Sequence, residues 1–163
     1  MTRQEYHSAV KEFSARLHRY VYKCLRNTDD ARDIVQDSFT KLWENRDKIE
    51  WEKSKSWLFT TAHNGLINLL KKNGRTSFYE ESSLDRMGSV DDARRFELKE
   101  ILDKALSLLP PVQKSILLLR DLEGYDYKEI GEILDLTESQ VKVYLFRARQ
   151  KLKDNLKDQF VLA

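Results

Sequence analysis

The chain has 163 residues, 40% hydrophobic and 34% charged, with only 5 Gly and 2 Pro. So few turn formers exclude a sandwich or barrel with many hairpins, and point to helices joined by short loops in one medium domain or two small ones. The formal net charge of +2 excludes bulk electrostatics as an argument for a polyanionic partner, so any nucleic-acid role must rest on local basic patches.

A lone cysteine, Cys24, excludes an internal disulfide. It falls in an apolar helical pattern and is read as a buried free thiol in a reducing compartment. The N-terminal MTRQEYHSAV has no apolar signal-peptide core, and the longest aliphatic run, Ile116 to Leu119, is far short of the ~20 residues of a bilayer span. A soluble, cytoplasmic protein without direct membrane insertion is expected.

Taken in chain order, residues 4–26 place Tyr6, Val10, Phe13, Leu17, Val21 and Leu25 on one helical face. Asn27-Thr28-Asp29-Asp30 breaks that pattern and offers N-cap residues. The next helix runs to about Glu44 with Ile34, Val35, Phe39, Leu42 and Trp43 as its apolar set. A third starts near Glu52–Ser54, ends near Lys72, and carries Trp57, Leu58, Ala62, Leu66, Ile67 and Leu70. Residues 76–92, TSFYEESSLDRMGSVDD, are rich in Ser, Asp and Glu and lack a period, as a flexible linker would be; Phe78-Tyr79 could dock from it.

Beyond it, Phe96, Ile101, Leu102, Ala105, Leu106 and Leu109 form one face, and Pro110-Pro111 ends that helix and starts the next. The next helix carries Val112, Ile116, Leu117 and Leu119 and closes at Gly124, a C-cap candidate. Two further helices are expected at about 126–134 and 138–155. The whole is an all-α chain of two small helical domains, residues 1–75 and 93–163, joined by the linker 76–92.

The last helix pair has a distinctive pattern. Gly131 sits inside YKEIGEIL, where glycine costs ~1 kcal/mol relative to alanine, as a close crossing with the next helix would require. Asp135-Leu136 makes a turn. Thr137 and Gln140 have capping-box spacing, and Val141, Leu145, Ala148 and Leu152 form the buried stripe. This is a helix-turn-helix pattern. Its second helix presents Thr137, Glu138, Ser139, Gln140, Lys142 and Val143 to base edges, with Phe146, Arg147 and Arg149 further along. A structural helical hairpin with a solvated charged face fits the same residues.

In the first domain, Asp30, Asp33, Gln36 and Asp37 accompany Phe39, Leu42 and Trp43. The pattern suits either an acidic solvated face over a core or a docking face for a basic helical partner. The third helix offers Thr60, Thr61, His63, Asn64 and Asn68, then Lys71-Lys72, and that mixture suits single-stranded DNA. Trp57 is read first as core. His63 is read as a helix-surface histidine, because His7 and His18 stand at no metal-ligand spacing from it.

Together, DARDIVQDSF through Leu42-Trp43, SWLFTTAHN at 56–64, the stretch 106–134 and VKVYLFRARQKL at 141–152 resemble regions 2 and 4 of bacterial sigma factors of the extracytoplasmic-function (ECF) group. The resemblance covers nearly all the chain outside the linker. It implies a region 2 bundle of three to four helices that binds the polymerase clamp through Asp33, Gln36, Asp37, Phe39, Leu42 and Trp43. It further implies that Trp57, Thr60, Thr61, His63, Asn64, Asn68, Lys71 and Lys72 engage the melted minus-10 element. Region 4, a four-helix domain, would read the minus-35 element in the major groove and touch the polymerase flap. Implied partners are core RNA polymerase, promoter DNA and an anti-sigma factor, with no cofactor, metal or small-molecule substrate. Ser139-Gln140 and Val143-Tyr144 depart from the common Gly-Thr and Ser-Arg, so the promoter sequence does not carry over from relatives.

Two other readings remain: a polymerase-independent helix-turn-helix regulator, with its own dimer interface, and a helical adaptor without a nucleic-acid role. An enzyme is disfavoured, because no nucleophile–base pair, metal cluster or Gly-rich phosphate loop is present.

Overall fold

A computed structural model describes residues 1–74 and 90–162 of the chain. Among these residues all regular structure is helical. Helix α1 spans Arg3–Leu25, α2 Thr28–Glu44 and α3 Trp51–Lys72, with a single 3₁₀ turn at Arg46–Lys48. Helix α4 spans Val90–Ser107, α5 Pro111–Leu117, α6 Tyr127–Leu134 and α7 Glu138–Leu162. The expected linker lies largely outside the described residues, Phe78-Tyr79 included, and its last three positions, 90–92, form the first turn of α4.

Local chemistry sets the helix starts. Thr2 and Glu5 form a reciprocal capping box before α1, and Asn27 accepts from the Asp30 amide at 2.9 Å to cap α2. Asp126 and Glu129 repeat the capping box at α6. Pro111 opens α5 at the first turn, where its missing N–H costs nothing.

The helix α5 does not end where the sequence pattern places its stop. From Leu118 to Leu122 the chain widens into a π turn, in which the Glu123 amide donates to the Leu118 carbonyl at 3.0 Å. Gly124 then takes φ +75°, a left-handed conformation cheap for glycine, and Tyr125 donates its amide to the Leu119 carbonyl. This irregular exit places Glu123 and Tyr125 against the first half of the molecule.

The first half packs α1, α2 and α3 around Leu17, Tyr20, Leu42, Leu58, Phe59 and Leu66. The second packs α5, α6 and α7 around Ile116, Leu119, Ile130, Ile133, Val141 and Leu145, with α4 laid on α7. Asn155 ties α7 to α4 by donating to the Ala105 carbonyl at 3.1 Å. The two halves are not separate beads: their apolar cores form one continuous cluster. Leu102 and Val112, expected on buried faces, are exposed.

Candidate polymerase and nucleic-acid interfaces

The recognition helix is built as its sequence requires. The Thr137 hydroxyl accepts from the Gln140 amide at 3.1 Å, and the Gln140 side-chain carbonyl accepts from the Thr137 amide at 2.9 Å. Gln140 therefore engages its side-chain carbonyl in the cap, and its amino group stays free of it. Asp135 takes φ +57°, closing α6 with a left-handed residue that Asp tolerates. At Gly131 an added Cβ would lie 2.6 Å from the Leu136 carbonyl oxygen. The tight approach expected there is real, though it is made chiefly with the turn and only secondarily with Val141 of α7.

Val141, Leu145 and Ala148 face inward, while Thr137, Glu138, Ser139, Gln140, Lys142, Val143, Phe146, Arg147 and Arg149 are all exposed. Phe146 is 71% exposed and Val143 46% exposed, one helical turn apart. Lys142 lies over the Tyr127 ring at 5.7 Å, and Arg149 grips Asp121 with two hydrogen bonds, at 2.6 and 3.2 Å. The Asp121 carboxylate holds the Arg149 guanidinium above its usual pKa.

On α2, Asp33, Gln36 and Asp37 are exposed, and Asp37 pairs with Lys41 at 3.0 Å. Asp30, Asp33 and Asp37 rim a groove between α2 and α3, with Ile34 and Leu69 as its apolar lining. Phe39 and Leu42 need correcting as presented side chains. They are 7% and 0% exposed, packed inward because they occupy the stripe of α2 that meets α1. Trp43 is half-buried between Tyr6, at 5.0 Å edge to face, and the Arg46 guanidinium, 3.7 Å from its ring centre.

The α3 residues divide into two groups. Asn64, Asn68, Lys71 and Lys72 are exposed along its C-terminal half. Thr61 and Trp57 are half-buried, Trp57 against the core. Thr60 donates its hydroxyl to the Ile133 carbonyl of α6 at 2.9 Å. His63 is not the surface histidine expected: it is 9% exposed, with Nδ1 3.0 Å from the Tyr20 hydroxyl and 3.3 Å from the Ser115 hydroxyl. The helix α5 covers it, and burial pushes its pKa down to about 4.

The junction between the halves is the feature sequence reasoning missed. Lys114, buried, donates to the Cys24 carbonyl at 3.2 Å, and burial lowers its pKa. The Cys24 thiol is pushed up to about 11 by the same burial. Glu123, its side chain fully buried, accepts two hydrogen bonds from Arg19 at 2.9 Å and lies 3.8 Å from Arg16. Asp103 is paired with Lys23 at 3.3 Å and with Arg26 at 2.8 Å, and Lys55 pairs with Glu129. One sequence signal was available: Tyr125, a large aromatic inside a turn.

This architecture defines a two-part helical DNA-binding protein, and comparison with known proteins specifies it. Residues 9–76 match the sigma-70 region 2 family model and residues 99–152 match the sigma-70 region 4 model. The chain is 29% identical to the ECF RNA polymerase sigma factor SigM of Bacillus subtilis (strain 168), over 84% of this chain and 86% of that one. It is 24% identical to SigW of the same organism, over 91% and 87%. Its fold superposes with a TM-score of 0.76, at 25% identity, on the sigma factor RpoE of Bartonella quintana, solved in complex with the anti-sigma factor NepR; the match covers 94% of this chain and 98% of that one. The fold of CnrH, solved with the cytosolic domain of CnrY, matches with a TM-score of 0.74 at 22% identity, over 96% and 90%.

The chain belongs to the sigma-70 family of RNA polymerase sigma factors. Within it, the chain is an ECF-type member, which binds core RNA polymerase, directs promoter-specific initiation and is not an enzyme. Among the described residues no helix is long and apolar enough to cross a membrane.

Proposed function

We propose that the three exposed faces divide the work of initiation. The N-terminal half of α7 reads the minus-35 element through Glu138, Ser139, Lys142, Val143 and Phe146, while Arg147 and Arg149 hold phosphates. The stripe of Asn64, Asn68, Lys71 and Lys72 on α3 engages the melted minus-10 strand, with Thr60, Thr61 and His63 joining once the halves separate. The acidic face of α2, from Asp33 through Gln36 and Asp37 to Trp43, docks on a basic helical element of core polymerase, and the second half also touches the polymerase flap. The observation that carries this reading is the exposure of the recognition face, where nine candidate residues point to solvent on a capped helix.

An anti-sigma factor would hold the chain inactive in the cytoplasm, as NepR and CnrY bind the two structurally similar proteins. The test is co-elution with core polymerase from a sizing column. Asp33→Arg with Gln36→Ala is expected to abolish co-elution while the helical circular dichroism is kept. Undiminished co-elution would remove the α2 face from the reading.

A further inference from the structure

The Asp121 carboxylate holds Arg149 by one edge of its guanidinium. Asp121 belongs to the π turn Leu118–Leu122 and accepts two hydrogen bonds across 28 residues of chain, from Arg149 Nε to Oδ2 at 3.2 Å and from Nη2 to Oδ1 at 2.6 Å. Tyr127 lies close enough to Arg149 to act on its charge, and the Lys142 ammonium sits 5.7 Å from the centre of the same ring. The pair therefore borders the residues that face the bases. A carboxylate at that border opposes a polyanion. A pair whose side chains are 50% and 45% exposed also adds little to stability. Its consequence lies in geometry. The grip on Nε and Nη2 takes two of the five guanidinium donors and leaves the end-on edge, with one N–H from each Nη, free of the carboxylate. Two parallel N–H groups of that kind bond a phosphate at two points.

We propose that Asp121 is a specificity-determining residue of the duplex reader, acting through Arg149 and touching no DNA itself. A free arginine at this place would swing to any phosphate on any duplex, as a long, mobile cation does. The held arginine presents one fork in one posture. A phosphate meets that fork only when the duplex lies in the register that also brings Glu138, Ser139, Lys142 and Phe146 to their bases. In any other register the phosphate misses the fork and faces the Asp121 carboxylate, which repels it. The pair thus weakens binding to wrong sequence more than binding to right sequence, and a contact to phosphate, uninformative by itself, comes to carry sequence information. The local frame suits this role. Asp121 is fixed by backbone rather than by a mobile loop, since the Glu123 amide closes the π turn on the Leu118 carbonyl at 3.0 Å and the Gly124 amide bonds the Arg120 carbonyl at 3.1 Å. This inference rests on the reading that α7 meets the minus-35 duplex with Arg149 on a phosphate.

The test uses the full chain assembled with core polymerase and two labelled duplexes: a promoter fragment, and the same fragment with its minus-35 element scrambled. The readout is the ratio of the two affinities. Asp121→Asn is expected to tighten binding to the scrambled fragment about threefold, the scale of one exposed ion pair, while the promoter fragment gains less, so the ratio falls. In an Arg149→Ala background the same substitution is expected to leave the ratio unchanged, because loss of a bare carboxylate helps both fragments alike. An unchanged or raised ratio for Asp121→Asn would overturn the proposal, and so would a fall that persists without Arg149. Where Asp121→Asn loses its helical circular dichroism, Arg149→Lys takes over. It keeps the charge but cannot be gripped at two points, and it should lower the ratio in the same way; an unchanged ratio would overturn the proposal. Arg149→Ala alone reports on the underlying reading. It should weaken the promoter fragment and lower the salt slope by about 1. If it does neither, Arg149 holds no phosphate and that reading fails; if it does both while Asp121→Asn leaves the ratio unmoved, only the role of Asp121 fails.

Discussion

His63 of α3 and Ser115 of α5 meet across the two halves, imidazole Nδ1 to hydroxyl oxygen, at 3.3 Å. The Tyr20 hydroxyl approaches the same nitrogen from α1 at 3.0 Å. Three helices therefore converge on one imidazole, which carries no charge while the halves are closed at neutral pH.

That geometry makes closure pH-dependent. Burial depresses His63 from its ordinary 6.5 to about 4, so the open form binds the proton more tightly. The contribution of His63 to closure is fully present above about pH 6.5 and is lost as pH falls toward 4, at about 1.4 kcal/mol per pH unit. Energy transfer between labels on the halves should fall across that window, and His63→Gln should flatten the profile. An identical profile in that variant would assign the transition elsewhere.

Thr137→Ala removes a cap whose side chain and amide both bond Gln140. We expect a loss of about 1 kcal/mol in stability and weaker binding to minus-35 duplex, since the first turn of α7 carries the reading residues. Thermal unfolding and anisotropy on a minus-35 duplex measure the two effects separately.

Gly131→Ala tests the tight turn. Alanine favours a helix by about 1 kcal/mol over glycine, yet its Cβ would meet a backbone oxygen at 2.6 Å. Backbone cannot yield as a side chain tip can, so a net loss of about 1–2 kcal/mol is expected from overpacking. A raised melting temperature would show that the turn yields.

Arg147→Ala is expected to weaken promoter binding uniformly across sequences, lowering the salt slope by about 1, while polymerase co-elution is unchanged. Phe146→Ala is expected to act differently. An apolar ring contacts thymine methyls, so its loss should relax sequence preference with little change in salt slope. A changed slope for Phe146→Ala would place the ring elsewhere.

Much of the fold was legible because it is written in local signals. The Asn27 cap, Pro111, the Thr137–Gln140 box and the stripe from Val141 to Ala148 each act over a few residues, and each stands where the pattern places it. The junction was illegible because its determinants are distant in sequence. Asp103, Lys114, Ser115, Glu123 and His63 look like ordinary solvated positions in the sequence, yet all are buried, and each bonds across the junction. Phe39 and Leu42 show the converse: a bulky apolar side chain beside carboxylates reads as a docking anchor, while the helix phase turns it inward. The π turn after Leu117 carried no signal either, since no proline or glycine marks its start.

Cys24 is the sole thiol in the chain. It is buried against α5, with its carbonyl held by Lys114 and its thiol pushed up to about 11. A neutral, shielded sulfur does not react with alkylating dyes, whereas the same sulfur freed into water titrates near 8.5 and does. The wild-type chain thus carries a built-in stopwatch: the rate at which a thiol dye labels it counts how often the two halves come apart, with no engineered label needed.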